Sequence, residues 1–199
     1  MKVKIKKLGK TESFKLINSW SDVTLELWLK LIDFETGTKT EEATETIAAL
    51  SDIPKKLIKE LALSDVAVIM SKVGELQAKQ DTKLKRIIEI NDVEYGFHPD
   101  LDSISLGEYA DIEQFIKNGI ESSLPELMSV LYRPIKLKKN DIYIIDAYDG
   151  DIRLRAEEMK LMSAEQVQSA LVFFYTLGKV LSEILPLYLM ERLKETKTQ

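Results

Sequence analysis

The sequence predicts an α+β fold, predominantly helical, in which short β-hairpins are each followed by capped helices. Three observations predict it. Period-two alternation recurs in short runs at residues 1–17 and 86–97, and each run is followed by a Ser or Thr cap and an apolar stripe at helical spacing. The second run turns on Asn91-Asp92, residues that tolerate positive φ. The 199 residues are 45% hydrophobic and 31% charged with only 8 Gly and 5 Pro, a folded composition with little room for linkers.

In the first run Lys2, Lys4 and Lys6 fall on one side and Val3 and Ile5 on the other. After Gly9-Lys10, Phe14 and Leu16 continue the alternation, so a hairpin is expected. The lysine row reads as a solvated edge that discourages strand pairing. A phosphate-binding patch is the sharper alternative, but no aromatic or Arg residue interleaves with the lysines.

Thr24, or Asp22, should cap a helix whose Leu25, Trp28, Leu29 and Ile32 form one stripe, with Gly37 closing it. A second helix is expected over 41–50. A third restarts at Ser51-Asp52-Ile53-Pro54, with proline in the first turn, and a fourth follows Ser64-Asp65. The polar stretch 78–85 marks a boundary between an N-terminal unit, 1–84, and a C-terminal unit, 85–199; the sequence also allows the two to pack as one compact body.

Beyond the 86–97 hairpin, a capped helix is expected over 102–115 and Gly119 should end it. Ser122-Ser123-Leu124-Pro125-Glu126 starts another, carrying Leu127, Val130 and Leu131. It must stop at Tyr132-Arg133-Pro134, because the residue before proline avoids the α region. Residues 141–147 read as a strand, Asp149-Gly150 as a turn and 152–154 as a short return strand. Ser163-Ala164-Glu165-Gln166 has the form of a capping box. The helix it opens is the most apolar part of the chain, with 170–174 apolar all round. Pro186 should kink it, and 195–199 should fray.

Aligning Val23-Thr24-Leu25 with Ile104-Ser105-Leu106, a shift of 81 positions, also matches Trp28 with Tyr109, Leu31 with Ile112 and Phe34 with Phe115. A fainter third match starts at Ser163. The pattern reads as an internal duplication of one hairpin-helix unit, or as a resemblance that any amphipathic capped helix would show.

No catalytic centre is visible. The chain has no cysteine, which excludes disulfides, thiolate metal sites and a cysteine nucleophile. Gly-rich phosphate loops and the Gly-x-Ser-x-Gly elbow do not occur. His98, the single histidine, stands near Asp100 and Asp102 and could serve as a base or metal ligand, but one histidine without further ligands at metal spacing reads as structural. Asp146, Asp149 and Asp151 have the wrong spacing for a calcium loop and read as a turn. Lys55-Lys56-Lys59 and Lys136-Lys138-Lys139 are balanced by neighbouring acids and read as solvated faces. No cofactor or metal is expected. A net charge of −5 argues against nucleic acid and anionic membrane as partners. No run of 18 uncharged apolar residues exists, so no membrane span is expected, and the lysine-rich start lacks the apolar core of a signal peptide.

Surfaces remain. Trp20, Tyr132, Arg133 and the cluster Phe173, Phe174 and Tyr175 are residue types that anchor protein interfaces, with ordinary core packing as the alternative for the phenylalanines and for Trp28.

Four phrases, W-S-D-V-T-L-x-x-W from Trp20, Y-G-F-x-P-D-L-D-S-I-S-L-G-E-Y-A-D-I-E from Tyr95, L-Y-R-P-I from Leu131 and A-L-V-F-F-Y-T-L-G from Ala170, resemble a family of small tailed-bacteriophage proteins. These belong to the structural and morphogenesis gene clusters of crAss-like and similar phages, and include tail assembly chaperones and uncharacterised virion proteins. The resemblance spans roughly residues 20–180. It implies a non-enzymatic structural or assembly protein whose partners are other virion or tail proteins, found in the virion or in the host cytoplasm during assembly. Self-association is a further expectation. The rival is a phage-encoded enzyme or host regulator that uses the His98 region.

Overall fold

The computed structural model of the protein describes residues 1–7, 10–34, 37–78 and 83–172. Within them the fold is α+β, with a two-stranded and a four-stranded antiparallel sheet and helices between and after the hairpins. Strands β1 (Lys2–Lys7) and β2 (Lys10–Lys15) form the first hairpin. Helices α1 (Leu25–Phe34), α2 (Lys39–Leu50), α3 (Lys55–Ile58) and α4 (Leu63–Ala78) follow. The second hairpin is β3 (Ile87–Ile90) and β4 (Val93–Phe97), then α5 (Leu106–Asn118) and α6 (Leu124–Leu131). Strands β5 (Tyr132–Lys139) and β6 (Ile142–Ile145) complete the sheet in the order β3-β4-β5-β6, before α7 (Arg153–Met159) and a helical stretch at 164–172.

Local chemistry explains most of these boundaries. Asn91 and Asp92 both take positive φ (50° and 63°), the primed turn that joins twisted strands without splaying them. Thr24 accepts from the Leu27 N–H at 3.2 Å at the start of α1. Ser105 and Glu108 form a full capping box on α5, as Thr38 and Glu41 do on α2. Ser163 and Gln166 exchange the same pair of bonds, as their spacing predicts. Gly119 ends α5 at φ 104°, a conformation that costs glycine little.

The expected partner of the 141–147 strand does not form. Residues 152–154 do not form a return strand, because Arg153 opens α7, which buries Ala156 and Met159. The strand that pairs with β6 is β5, which begins where α6 stops and runs through Pro134. Pro134 is tolerated there because its C=O, and hence the position of its missing N–H, faces β6, where Pro134 O accepts from Asp146 N–H and the register slips between Ile135 and Leu137.

The hairpin-helix unit occurs twice with one constant shift of 81 positions. The 3₁₀ turn at Trp20–Asp22 returns at Leu101–Ser103, the Thr24 cap at Ser105, and the end of α2 at Leu50 as the end of α6 at Leu131. The tertiary pairing repeats as well. Leu16 pairs with Ser51 as Phe97 pairs with Tyr132, and the bond from Ile17 N–H to Leu50 O (3.0 Å) returns from His98 N–H to Leu131 O (2.7 Å). Amphipathic helices with Ser or Thr caps match one another by chance; long-range backbone bonds at the same shift go beyond that coincidence. The third capped helix, after Ser163, follows α7 and not a hairpin.

Two hydrophobic clusters fill the interior and exchange residues at α1. Leu25 is buried with Met159, Met162 and Val167, Ala164 is buried with Val23, Leu31 and Ile47, and Trp28 packs against both clusters. Burying Leu25 fully contributes about 2 kcal/mol. The start of α1 is also tied by backbone: Thr24 and Ser163 sit opposite one another in an antiparallel bridge, with Leu25 N–H donating to Met162 O and Ala164 N–H to Val23 O, each at 2.7 Å.

Candidate functional site

The second copy of the unit carries a buried ionic cluster at positions where the first has none. At the shift of 81, His98, Glu108 and Arg133 correspond to Ile17, Leu27 and Asp52. His98 follows the last residue of β4, Glu108 lies in the first turn of α5 and Arg133 is the second residue of β5; all three are buried. Glu108 Oε2 accepts from the Ser105 hydroxyl (2.6 Å) and N–H (2.8 Å). Its Oε1 accepts from Arg133 Nη1 at 2.5 Å and lies 3.5 Å from His98 Nε2. The Arg133 guanidinium also sits over the Tyr148 ring, 5.7 Å from its centroid, and the Tyr148 hydroxyl donates to Asp111.

The electrostatics follow from burial and charge. Burial alone would raise the Glu108 carboxyl; the bonds from Ser105 and the Arg133 charge outweigh it and hold the group below its ordinary value. Burial pushes the His98 imidazole down, and the nearby Arg133 charge adds to that, while Glu108 and Asp100 pull it partly back. Burial and the bond to Asp111 push the Tyr148 hydroxyl up. The arrangement fits a neutral histidine beside a charged pair. As chemistry it can hold three chain segments together, but it lacks the open approach that proton transfer to a bound substrate requires.

A concavity lies elsewhere. A groove of about 700 Å³ runs between α2 and the α3–α4 region, lined by Thr40, Thr44, Ile58, Leu61, Leu63 and Val66. His98, Glu108 and Arg133 are not part of it. Among the described residues no group of acids and histidines has a metal-binding arrangement, and no helix is long and apolar enough to cross a membrane.

Of the residues singled out as interface anchors, Trp20, Tyr132 and Arg133 are buried. Trp20 sits in the first 3₁₀ turn, buried in the N-terminal cluster, and its indole Nε1 finds no partner among the described residues. Tyr132 is fully buried: its hydroxyl donates to Lys85 O at 2.8 Å and its ring meets Phe97 edge-on at 5.2 Å. Burial pushes that hydroxyl's pKa up. Arg133 belongs to the ionic cluster. In each case the end of an element folds beneath its neighbour, so position at an element's end does not mean position at the surface. Phe173, Phe174 and Tyr175 lie outside the described residues.

The exposed apolar residues are others. On the outer face of β5–β6, Leu137, Ile142 and Ile144 are 67%, 78% and 57% exposed, and β6 is an edge with no strand partner on its far side among the described residues. On α5 a second stripe, Leu106, Tyr109 and Ile116, lies exposed to one side of the buried Glu108 and Ile112. Both were detectable in principle: the strand I-Y-I-I is apolar at every position, and α5 carries apolar residues on two faces at once. No family model, curated protein or solved structure matches the chain.

Proposed function

We propose that the chain is a non-enzymatic assembly protein of a tailed bacteriophage, docking on other virion proteins either as a tail assembly chaperone or as a permanent part of the particle. The phage context rests on the four phrases that resemble the phage family. The mode of action rests on one observation, the solvent-facing Leu137, Ile142 and Ile144 beside the open edge of β6. Exposed apolar groups gathered on one face are typical of docking surfaces. An edge strand with free N–H and C=O groups takes up a partner segment by extending the sheet, main-chain bonds supplying affinity and alternate side chains supplying selectivity. Edge strands of monomeric proteins usually carry inward charges, prolines or bulges against such pairing, and Ile142–Ile145 has none of these within it. The ionic cluster is closed and serves the fold.

Peptide mass spectrometry on purified particles beside infected-cell lysate tests the reading. Peptides at a fixed ratio to the capsid protein identify a particle component, and abundance in lysate with absence from particles identifies a chaperone. Absence from both sinks the phage reading. In a pull-down with the wild-type chain as bait, an I142K/I144K variant should lose the virion partner while keeping its fold; full retention would move the docking surface elsewhere.

A further inference from the structure

We propose that a second copy of this chain docks on α5 through the Ser105 cap and the stripe Leu106, Tyr109 and Ile116, in a two-fold arrangement that repeats the internal pairing of Thr24 with Ser163. This goes beyond the assembly reading by naming an occupant for a different face, and it stands without the phage context.

The duplicated unit supplies the comparison. Leu25 and Leu106 are the same position of the two copies, as are Trp28 and Tyr109. In the first copy this face is covered: Leu25 is fully buried, and the first two free amides of α1 are taken up, Leu25 N–H by Met162 O and Glu26 N–H by Lys160 O. In the second copy the same face is open, with Leu106 84%, Tyr109 54% and Ile116 41% exposed. The Leu106 amide and Ile104 carbonyl, which correspond to the paired Leu25 amide and Val23 carbonyl, have no partner among the described residues. One occurrence of the unit therefore displays what the other lacks.

The covering element is itself a helix cap. Thr24 and Ser163 each open a helix and each bonds its own first turn through its side chain. Between them run two reciprocal backbone bonds, so the pairing has local two-fold symmetry. Such a contact requires two similar caps, and a second Ser105 cap meets that requirement through an isologous dimer. Charge permits it. The charges that interrupt the stripe, Glu113 and Lys117, pair with each other at 3.0 Å, and Glu108 beneath it is paired with Arg133. The charges within and beneath the stripe are therefore paired inside each copy, although the chain as a whole is anionic.

The chain contains no cysteine, so a single introduced thiol reports directly on a two-fold axis. Residues opposite one another between such reciprocal bonds lie about 4.5 Å apart at Cα, within disulfide reach. Sedimentation velocity on the full chain over a concentration series should show a monomer–dimer equilibrium, and L106E should abolish it. Under mild oxidation S105C should form a disulfide-linked dimer, whereas N118C, at the far end of α5 and about 20 Å along it, should not. Because Leu106 is exposed, L106E leaves the core intact and keeps the test valid even if S105C weakens the cap. A wild-type chain that stays monomeric overturns the proposal. In that event an L106C thiol that resists a modifying reagent assigns the face to the chain's own residues beyond 172, and a freely reactive one leaves it to a different protein. Dimers cross-linked by N118C and not by S105C also overturn it.

Discussion

Arg133 donates to Glu108 across 2.5 Å in a part of the molecule where neither side chain meets solvent, joining β5 to the first turn of α5. Removing one partner strands the other as a buried charge, which costs about 3–5 kcal/mol, whereas removing both leaves no unpaired charge behind. Arg133→Met is therefore expected to destabilise the chain by about 3 kcal/mol and E108Q/R133M by clearly less. The first copy shows that the seam closes with Ile17 and Leu27 at two of these positions. Chemical denaturation of the two variants beside wild type checks it; equal losses would mean that the pair contributes through packing and not through charge.

The second hairpin tests its own turn. Asn91 and Asp92 both hold positive φ, and glycine is the residue that the second position of a primed turn prefers. Asp92→Gly should therefore be neutral or stabilise by a few tenths of a kcal/mol, its gain at the turn offset by added freedom of the unfolded chain. Asp92→Val should cost about 1–2 kcal/mol, since a β-branched side chain resists that conformation. Thermal unfolding of both variants decides; a tolerated valine would mean that the turn relaxes to another type.

What was legible in the sequence was local. The Asn91-Asp92 turn, the Ser163–Gln166 capping box and the Gly119 terminus depend on residues within four positions of one another, and they fall where their chemistry places them. Strand β5 was not legible, because Pro134 reads as a stop and Lys136, Lys138 and Lys139 as a solvated run. Its place is set by pairing with β4 and β6, which no local pattern announces. The segment 152–154 offered only three alternating residues, and burial of Ala156 and Met159 settled it as helix. For the ionic cluster, sequence proximity suggested Asp100 and Asp102 as companions of His98. The fold adds Glu108 from α5 and Arg133 from β5, 35 positions away in the chain, and keeps Asp100 within electrostatic reach of the imidazole.

Two glycines should respond oppositely to alanine. A Cβ on Gly96 would overlap the Tyr143 ring and Ile145, and Tyr143 is fixed there by its hydroxyl, which donates to Phe97 O at 2.7 Å. Gly96→Ala should cost about 1–3 kcal/mol, the usual penalty of overpacking. Gly74, in the middle of α4, has nothing within 4 Å of the added carbon, so Gly74→Ala should stabilise by up to about 1 kcal/mol through helix propensity. Urea midpoints for the two variants make the comparison. A stable Gly96→Ala protein would show that Tyr143 can move aside.

Acid should weaken the fold in two stages, and the single histidine makes the first assignable. The His98 imidazole is held below its ordinary value of 6.5, by burial first and by Arg133 second, against the pull of Glu108 and Asp100. The unfolded chain therefore binds a proton more readily than the folded one just below that pH. The stability that this difference confers is complete above pH 6.5 and is lost as the pH falls from there through the folded value. The Glu108 carboxyl is held below 4.5, so its contribution is present above that pH and disappears only as the pH falls through its own lower folded value. Urea unfolding of the wild type should show a decline beginning below pH 6.5 and a second at stronger acidity. In His98→Gln the first decline should vanish and the second remain, because glutamine keeps a polar side chain without a titratable ring. Since no other histidine exists, an unchanged first decline in that variant would separate His98 from the pH response altogether.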